Sequence, residues 1–406
     1  MTTLALALAQ EEFHPELDQT AIRRNERLVE LHVPDGKPDL LQQIEYGAES
    51  LLASYRIGGH IFSGIIENDG TAYGHLGDPV DITDNHVYDA SLKPGQVACD
   101  RSGNFDDRWA FTNRSTGLQY DTAQTLAAAA RVLRGYQDEL AGECLNAARS
   151  LWKYEQSHPP VYWRCGYNPP DSGFRSQEIS ATAELLITTR EKHYGDHLLS
   201  LLPVWDGISA GQFSSGPGWT LARALPYLRE EKYQTSVKNL AAKWKSEANR
   251  RADANPYGVR YPEQVLNPSW KLEKRTAIDS SFVWGSGWDL QWDALRQYYF
   301  HQHLPELFSA GPLLDVVNFV LGCHPASNES FVSGVGASSA PVAYGFNRAD
   351  WSYIPGGVFS GCSLIKPDFM ELKKFPFLWY QREYVIHGAA TYIFIVLAAN
   401  KLLNAG

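Results

Sequence analysis

What this 406-residue chain has little of removes several classes before any motif is read. It carries five cysteines, Cys99, Cys144, Cys165, Cys323 and Cys362, scattered and without a Cys-x-x-Cys spacing. An odd, sparse set in a long chain is neither a disulfide framework nor a zinc site, so these read as core or incidental thiols and say nothing of compartment. Lysine and arginine total 36 against 46 acidic residues, a net charge of −10, which argues against nucleic acid as a partner. No apolar run reaches the roughly twenty residues of a membrane span. Residues 384–399 come nearest, but His387, Gly388 and Thr391 interrupt them, and a helix apolar on most sides belongs inside a protein. The opening MTTLALALAQEEF mimics a signal peptide only superficially, with no basic start, a short apolar run and acids directly behind it. There is no G-x-S-x-G elbow, P-loop or H-E-x-x-H, and Gly334-Val335-Gly336 lacks the third glycine of a dinucleotide fingerprint. No cofactor is expected.

What is present is helical periodicity. Leu40, Leu41, Ile44, Ala48, Leu51, Leu52 and Tyr55 form one stripe at three- and four-residue steps. Further helices are predicted over residues 3–13, 120–135, 139–156, 176–193, 195–202, 218–228, 232–251, 288–301, 312–321 and 382–403. Strand-like alternation is brief, near residues 59–66. Hydrophobic content of 44% with 20% charged residues is globular. Gaps rich in Gly, Pro, Asn and Asp recur at residues 68–113, 157–174, 251–281 and 323–376. Several long loops on one helical scaffold suggest a single all-α toroid whose loops build a cleft on one face.

The C-terminal loops name the chemistry. Residues 318–383 set Trp351, Tyr353, Trp379 and Tyr380 beside Asn347, Arg348, Asp350 and Glu383. Flat aromatic faces among hydrogen-bonding side chains suit a sugar ring, with its apolar C–H faces and hydroxyl rim. The stretch LGCHPASNESFVSGVG resembles the Leu-Gly…Asn-Pro…Ser-Phe-Val-x-Gly-x-Gly segment of glycoside hydrolase family nine. NRADWSYIPGG and FLWYQREYV resemble a bacterial subgroup of it. Weaker similarity runs upstream through WGSGWDLQW, NPYGV and DDRWAFTN to LLQQIEYGAESLL.

This resemblance implies an (α/α)6 barrel hydrolysing β-1,4-glucan or related oligosaccharides with inversion. It implies Glu383, at the start of the last barrel helix, as general acid, and sugar contacts from Asn347, Arg348, Trp351, Tyr353, Trp379, Trp284, Asp106 and Asp107. The acid's neighbours are Arg382 and Tyr384 rather than the family's Asn and Val, and Asn347 replaces a histidine.

Glycoside hydrolysis needs two carboxyl groups, and the family's Asp-Ala-Gly-Asp base motif occurs nowhere in the sequence. The resemblance therefore implies a single domain over residues 1–406 that begins within the first barrel helix, without an upstream immunoglobulin-like domain. Two other readings stay open: a glucan-binding or inert remnant, and another (α/α)6 sugar enzyme such as an epimerase or lyase. Asp78, Asp81 and Asp84 could hold calcium, but their spacing is not that of an EF-hand, and turn capping is the favoured role. Trp284 and Trp288 are candidate stacking platforms or core. His301 and His303 read as a charge effect at a helix end rather than metal ligands.

Overall fold

The computed structural model describes residues 1–67, 84, 86–163, 170–205, 207–260, 286–324, 328–340, 353–362 and 381–404. Thirteen α-helices lie among them: α1 (Thr2–Phe13), α2 (Asp39–Gly58), α3 (Thr116–Leu133), α4 (Asp138–Ser157), α5 (Arg175–Thr189), α6 (Lys192–Ser200), α7 (Leu202–Trp205), α8 (Ala210–Ser215), α9 (Gly218–Ala224), α10 (Glu231–Asp253), α11 (Ser286–His303), α12 (Gly311–Val320) and α13 (Ile386–Leu403). Helices α1, α3, α5, α9, α11 and α13 pack each on the next, and α13 packs back on α1. That closed inner ring is wrapped by α2 on α1 and α3, α4 on α3 and α5, α6 on α5, α10 on α9, and α12 on α11 and α13. The alternation of inner and outer helices along the chain is the (α/α)6 toroid. Since each outer helix runs back against its inner neighbour, the inner helices run in parallel and their N-termini gather on one face.

Local sequence explains the ring. In α3, Ala127, Ala128, Ala129 and Ala130 are all fully buried, and their small side chains let α1, α4 and α5 approach closely. This helix begins four residues before the predicted start because Ser115 caps it, its hydroxyl accepting from Leu118 N at 3.4 Å. Helix α13 is long and apolar enough to cross a membrane by length and composition. Here it lies in the inner ring, between α1 and α11.

Strands are few. The antiparallel hairpin β1 (Thr20–Arg23) and β2 (Leu28–Leu31) was not signalled by alternation, because Leu28, Val29 and Leu31 face solvent and leave no core stripe. The alternation near residues 59–66 is realised as β3 (Gly64–Glu67), and its partner is β7 (Arg108–Phe111). Two-residue strands β4 (Val87–Tyr88), β5 (Val97–Ala98) and β6 (Arg101–Ser102) form a small sheet in the order β4-β6-β5.

At the C-terminal end of the inner ring, ion pairs replace the hydrophobic filling. The carboxylate of Glu184 accepts from Arg131 and, at 2.7 Å, from Arg223. Glu11 Oε2 accepts from the same two guanidinium groups at 2.6 and 2.9 Å. Arg131 also donates to Thr188 Oγ1 at 2.6 Å. Beside them, Tyr298 donates to Glu12 at 3.1 Å and accepts from Lys401 at 3.0 Å. All six inner helices contribute a residue to these bonds. Glu184 is wholly buried and Arg223 nearly so. Burial works against charge on both Glu11 and Arg223, yet the opposite charges prevail: the Glu11 carboxyl is held below its ordinary range and the Arg223 guanidinium above it.

His303 departs from the expected helix-end charge. Burial, and then the neighbouring Arg223 charge, push its imidazole down to about 4, so it stays neutral in the folded protein. Between its ordinary 6.5 and about 4, the unfolded chain gains a proton that the folded one refuses, so stability falls as pH falls through that window. Replacing His303 with Gln is expected to remove up to roughly 3 kcal/mol of this loss, read as a flatter dependence of thermal midpoint on pH. Arg223→Met leaves two carboxylates short of a cation and is expected to cost about 3–5 kcal/mol, read by denaturant unfolding at pH 7.

Candidate active site

Residues of α1, α3, α5, α9 and α11 line a cavity of about 500 Å³. Asp121, Thr122 and Thr125 come to it from α3, Ser176 and Ser180 from α5, Trp219 from α9, and Trp292 and Arg296 from α11. A second cavity of about 420 Å³ adjoins it, sharing Ser215 and Arg296 and adding Gln212, Trp244, Arg260, Asp289 and Asp293. Arg260 donates to Asp293 at 3.2 Å. Asp289 is exposed at the edge of this pit. Ring mouth and side pit are thus polar, with tryptophan in both walls.

Glu383 lies on the same face, immediately ahead of α13. The predicted helix over 382–403 begins only at Ile386, because Tyr384 pairs with Phe359 in a β-bridge and Val385 is extended. Glu383 therefore stands in a short link rather than on a helix. Its main chain is held tightly: Ser360 N donates to Glu383 O at 2.9 Å, and Ser360 O accepts from Gly287 N at 2.8 Å. This ties the Glu383 link to the start of α11. Next to it, the Tyr384 ring stacks on Phe359 at 4.6 Å, and its hydroxyl contacts Ser333 and Ile354 N. Arg382, which could have held Glu383 as a charge partner, instead pairs with Glu329. Glu383 Oε2 is sealed from solvent.

The other predicted sugar contacts divide. Asn347, Arg348, Trp351, Trp379 and Trp284 lie outside the described residues, as do Asp350, Tyr380, Asp78 and Asp81. Tyr353 is 43% exposed. One oxygen of Asp106 accepts from Asp84 N at 2.8 Å and one of Asp107 from Tyr88 N at 2.7 Å, so both clamp a loop. Asp84 accepts from His86 N at 2.9 Å, the turn-capping role. Trp288 is core, packed between α11 and α13 with its ring 5.0 Å from that of His387.

The residues around the ring mouth were missed. Asp289, Asp293 and Arg296 follow steps of four and three along α11, a pattern that alone reads as an ordinary solvated face. Trp292, on the same helix, reads as core.

A helical toroid that opens on a polar, tryptophan-walled mouth is suited to saccharide chemistry, and that is the class defined by fold and site. Within it, the chain belongs to glycosyl hydrolase family 9, which it matches over residues 1–344. The protein is an O-glycosyl hydrolase. The matched span stops short of Asn347 and Glu383. Solved structures share the fold. A thermostable endoglucanase from Alicyclobacillus acidocaldarius aligns at TM-score 0.70 and 16% identity, covering 98% of this chain and 71% of that one. A metagenome-derived family 9 endoglucanase gives 0.67 and 18%, covering 98% and 67%. A cellulase of C. cellulolyticum in complex with cellobiose gives 0.67 and 13%, covering 99% and 84%. No protein with a curated description matches.

Helix α13 is seated through Gly388, where an added Cβ would lie 2.7 Å from Trp288 Cδ1 and 2.9 Å from its Nε1. In a free helix, Gly→Ala gains about 1 kcal/mol. Gly388→Ala is expected to reverse that sign, costing about 1–3 kcal/mol through overpacking, with activity lowered as α13 and the Glu383 link shift. A rise in thermal midpoint would refute this seating.

Proposed function

We propose that the substrate is a β-1,4-linked glucan or a related oligosaccharide, cleaved with inversion, and that Glu383 is the general acid. The observation that carries the assignment is the fixing of Glu383. Its link is bonded through Ser360 to α11 and stacked through Tyr384 on Phe359. A general acid must hold its proton in place until the leaving oxygen takes it. A carboxyl oxygen sealed from water, on a main chain that cannot drift, meets the positional half of that demand. The endoglucanase and cellulase folds that resemble this chain, one of them holding cellobiose, support the substrate class.

In this reading, Asn347, Arg348, Trp351, Tyr353, Trp379 and Trp284 hold sugar rings. Asp106 and Asp107 act through the loop they clamp. Glu383 protonates the glycosidic oxygen as the C–O bond breaks, and water, deprotonated by a second carboxylate, attacks from the opposite side of the ring.

Proton donation matters in proportion to the basicity of the leaving group. Glu383→Gln is expected to lower turnover of cellotetraose by about 10²–10⁴-fold. Turnover of a dinitrophenyl cellobioside, whose leaving group needs no proton, should fall far less. Equal losses on both substrates would remove Glu383 from the acid role.

A further inference from the structure

Arg296 separates the central cavity from the side pit and lines both. The other buried arginines of the ring have carboxylate partners: Arg131 and Arg223 share Glu11 and Glu184, and Arg260 binds Asp293. Arg296 has none of this kind among the described residues. Its Nε is sealed from solvent without a hydrogen-bond partner, and its guanidinium lies 5.9 Å from the Trp292 ring. Asp289 and Asp293, on the same helix, oppose the lowering of its pKa by burial, but neither bonds it. The residue as a whole is only half-buried, so the rest of the fork faces the cavities without a protein partner. An arginine left in that state is available to a ligand that supplies acceptors.

Two more donors in the central cavity's lining residues stand in the same condition. Gln124 Nε2 and Trp292 Nε1 are both buried without a hydrogen-bond partner. Those two atoms are sealed, but the lining also carries the hydroxyls of Thr122, Thr125, Ser176 and Ser180. Hydroxyls both donate and accept, so a molecule that does both fits this lining. An anion would satisfy Arg296 but would also meet the carboxylate of Asp121 in that cavity and those of Asp289 and Asp293 in the next. A neutral sugar meets no such conflict: its oxygens accept from the arginine fork, its hydroxyls donate to Asp121, and its C–H faces lie against Trp219 or Trp292. The cavity, about 500 Å³, has room for it.

We propose that Arg296 is a specificity-determining residue, its guanidinium fork donating to adjacent hydroxyl oxygens of one neutral glycosyl unit seated in the central cavity. This rests on the reading of the chain as a glucan hydrolase.

The decisive pair of measurements is affinity and stability on one variant. Arg296→Met removes the buried charge while keeping much of the volume. Affinity for cellobiose and cellotetraose, read by calorimetry or tryptophan fluorescence, should fall about tenfold to a hundredfold. The loss should appear in KM more than in kcat, and the thermal midpoint should hold or rise. Arg296→Lys, which keeps the charge but not the fork, should recover part of the affinity. A lowered thermal midpoint with unchanged affinity assigns Arg296 a merely structural role and overturns the proposal. So does a loss confined to uronate-containing oligosaccharides, which would make the site an anion site. Should Arg296→Met not fold, Arg296→Lys decides alone: several-fold weaker binding supports the proposal and equal binding overturns it. If the unaltered protein binds neither oligosaccharide, the glucan reading itself fails. If it binds them and the variants bind equally well, only the role of Arg296 falls.

Discussion

The ion cluster at the C-terminal end of the inner ring is the constraint on which the rest depends. Glu11 and Glu184 clasp Arg131 and Arg223 across the axis, while Glu12, Tyr298 and Lys401 join the remaining two helices. Such charges are expensive to bury and add little net stability compared with a well-packed apolar core. What they do add is definition, because each guanidinium must find its carboxylates, which fixes how the inner helices are rotated and how far along the axis each sits.

The two ends of the ring differ in whether their arginines meet carboxylates. At the closed end Arg131 and Arg223 share two carboxylates and the neighbouring His303 is held neutral, while Arg131 Nε and the Tyr299 hydroxyl stay sealed without a partner. At the open end donors on Arg296, Trp292 and Gln124 lack protein partners around a cavity. Well-satisfied polarity stiffens a structure, and unsatisfied polarity lends binding energy to whatever satisfies it.

Glu383, the proposed acid, shows how much of a side chain's setting lies in its surroundings. Its position depends on Ser360, on the Tyr384–Phe359 stack, and on Gly388 admitting Trp288 against α13. The short extended link ahead of α13 keeps Glu383 off the helix.

Much of the fold was legible beforehand. Three- and four-residue apolar steps placed nearly every long helix, and the loop motifs around Leu321–Gly336 and Asn347 carried the family likeness. Local chemistry also supplied Asp84 as a turn cap. Sequence could not show that Asp106 and Asp107 would spend an oxygen each on loop amides, that Trp288 would be core, or that His303 would lose its charge. Nor could it separate Arg296, with no bonded partner, from Arg223, with two. Periodicity reports which face of a helix is apolar, and that is a property of neighbours along the chain. Whether a buried charge meets its counter-ion depends on residues hundreds of positions apart, brought together only when the ring closes.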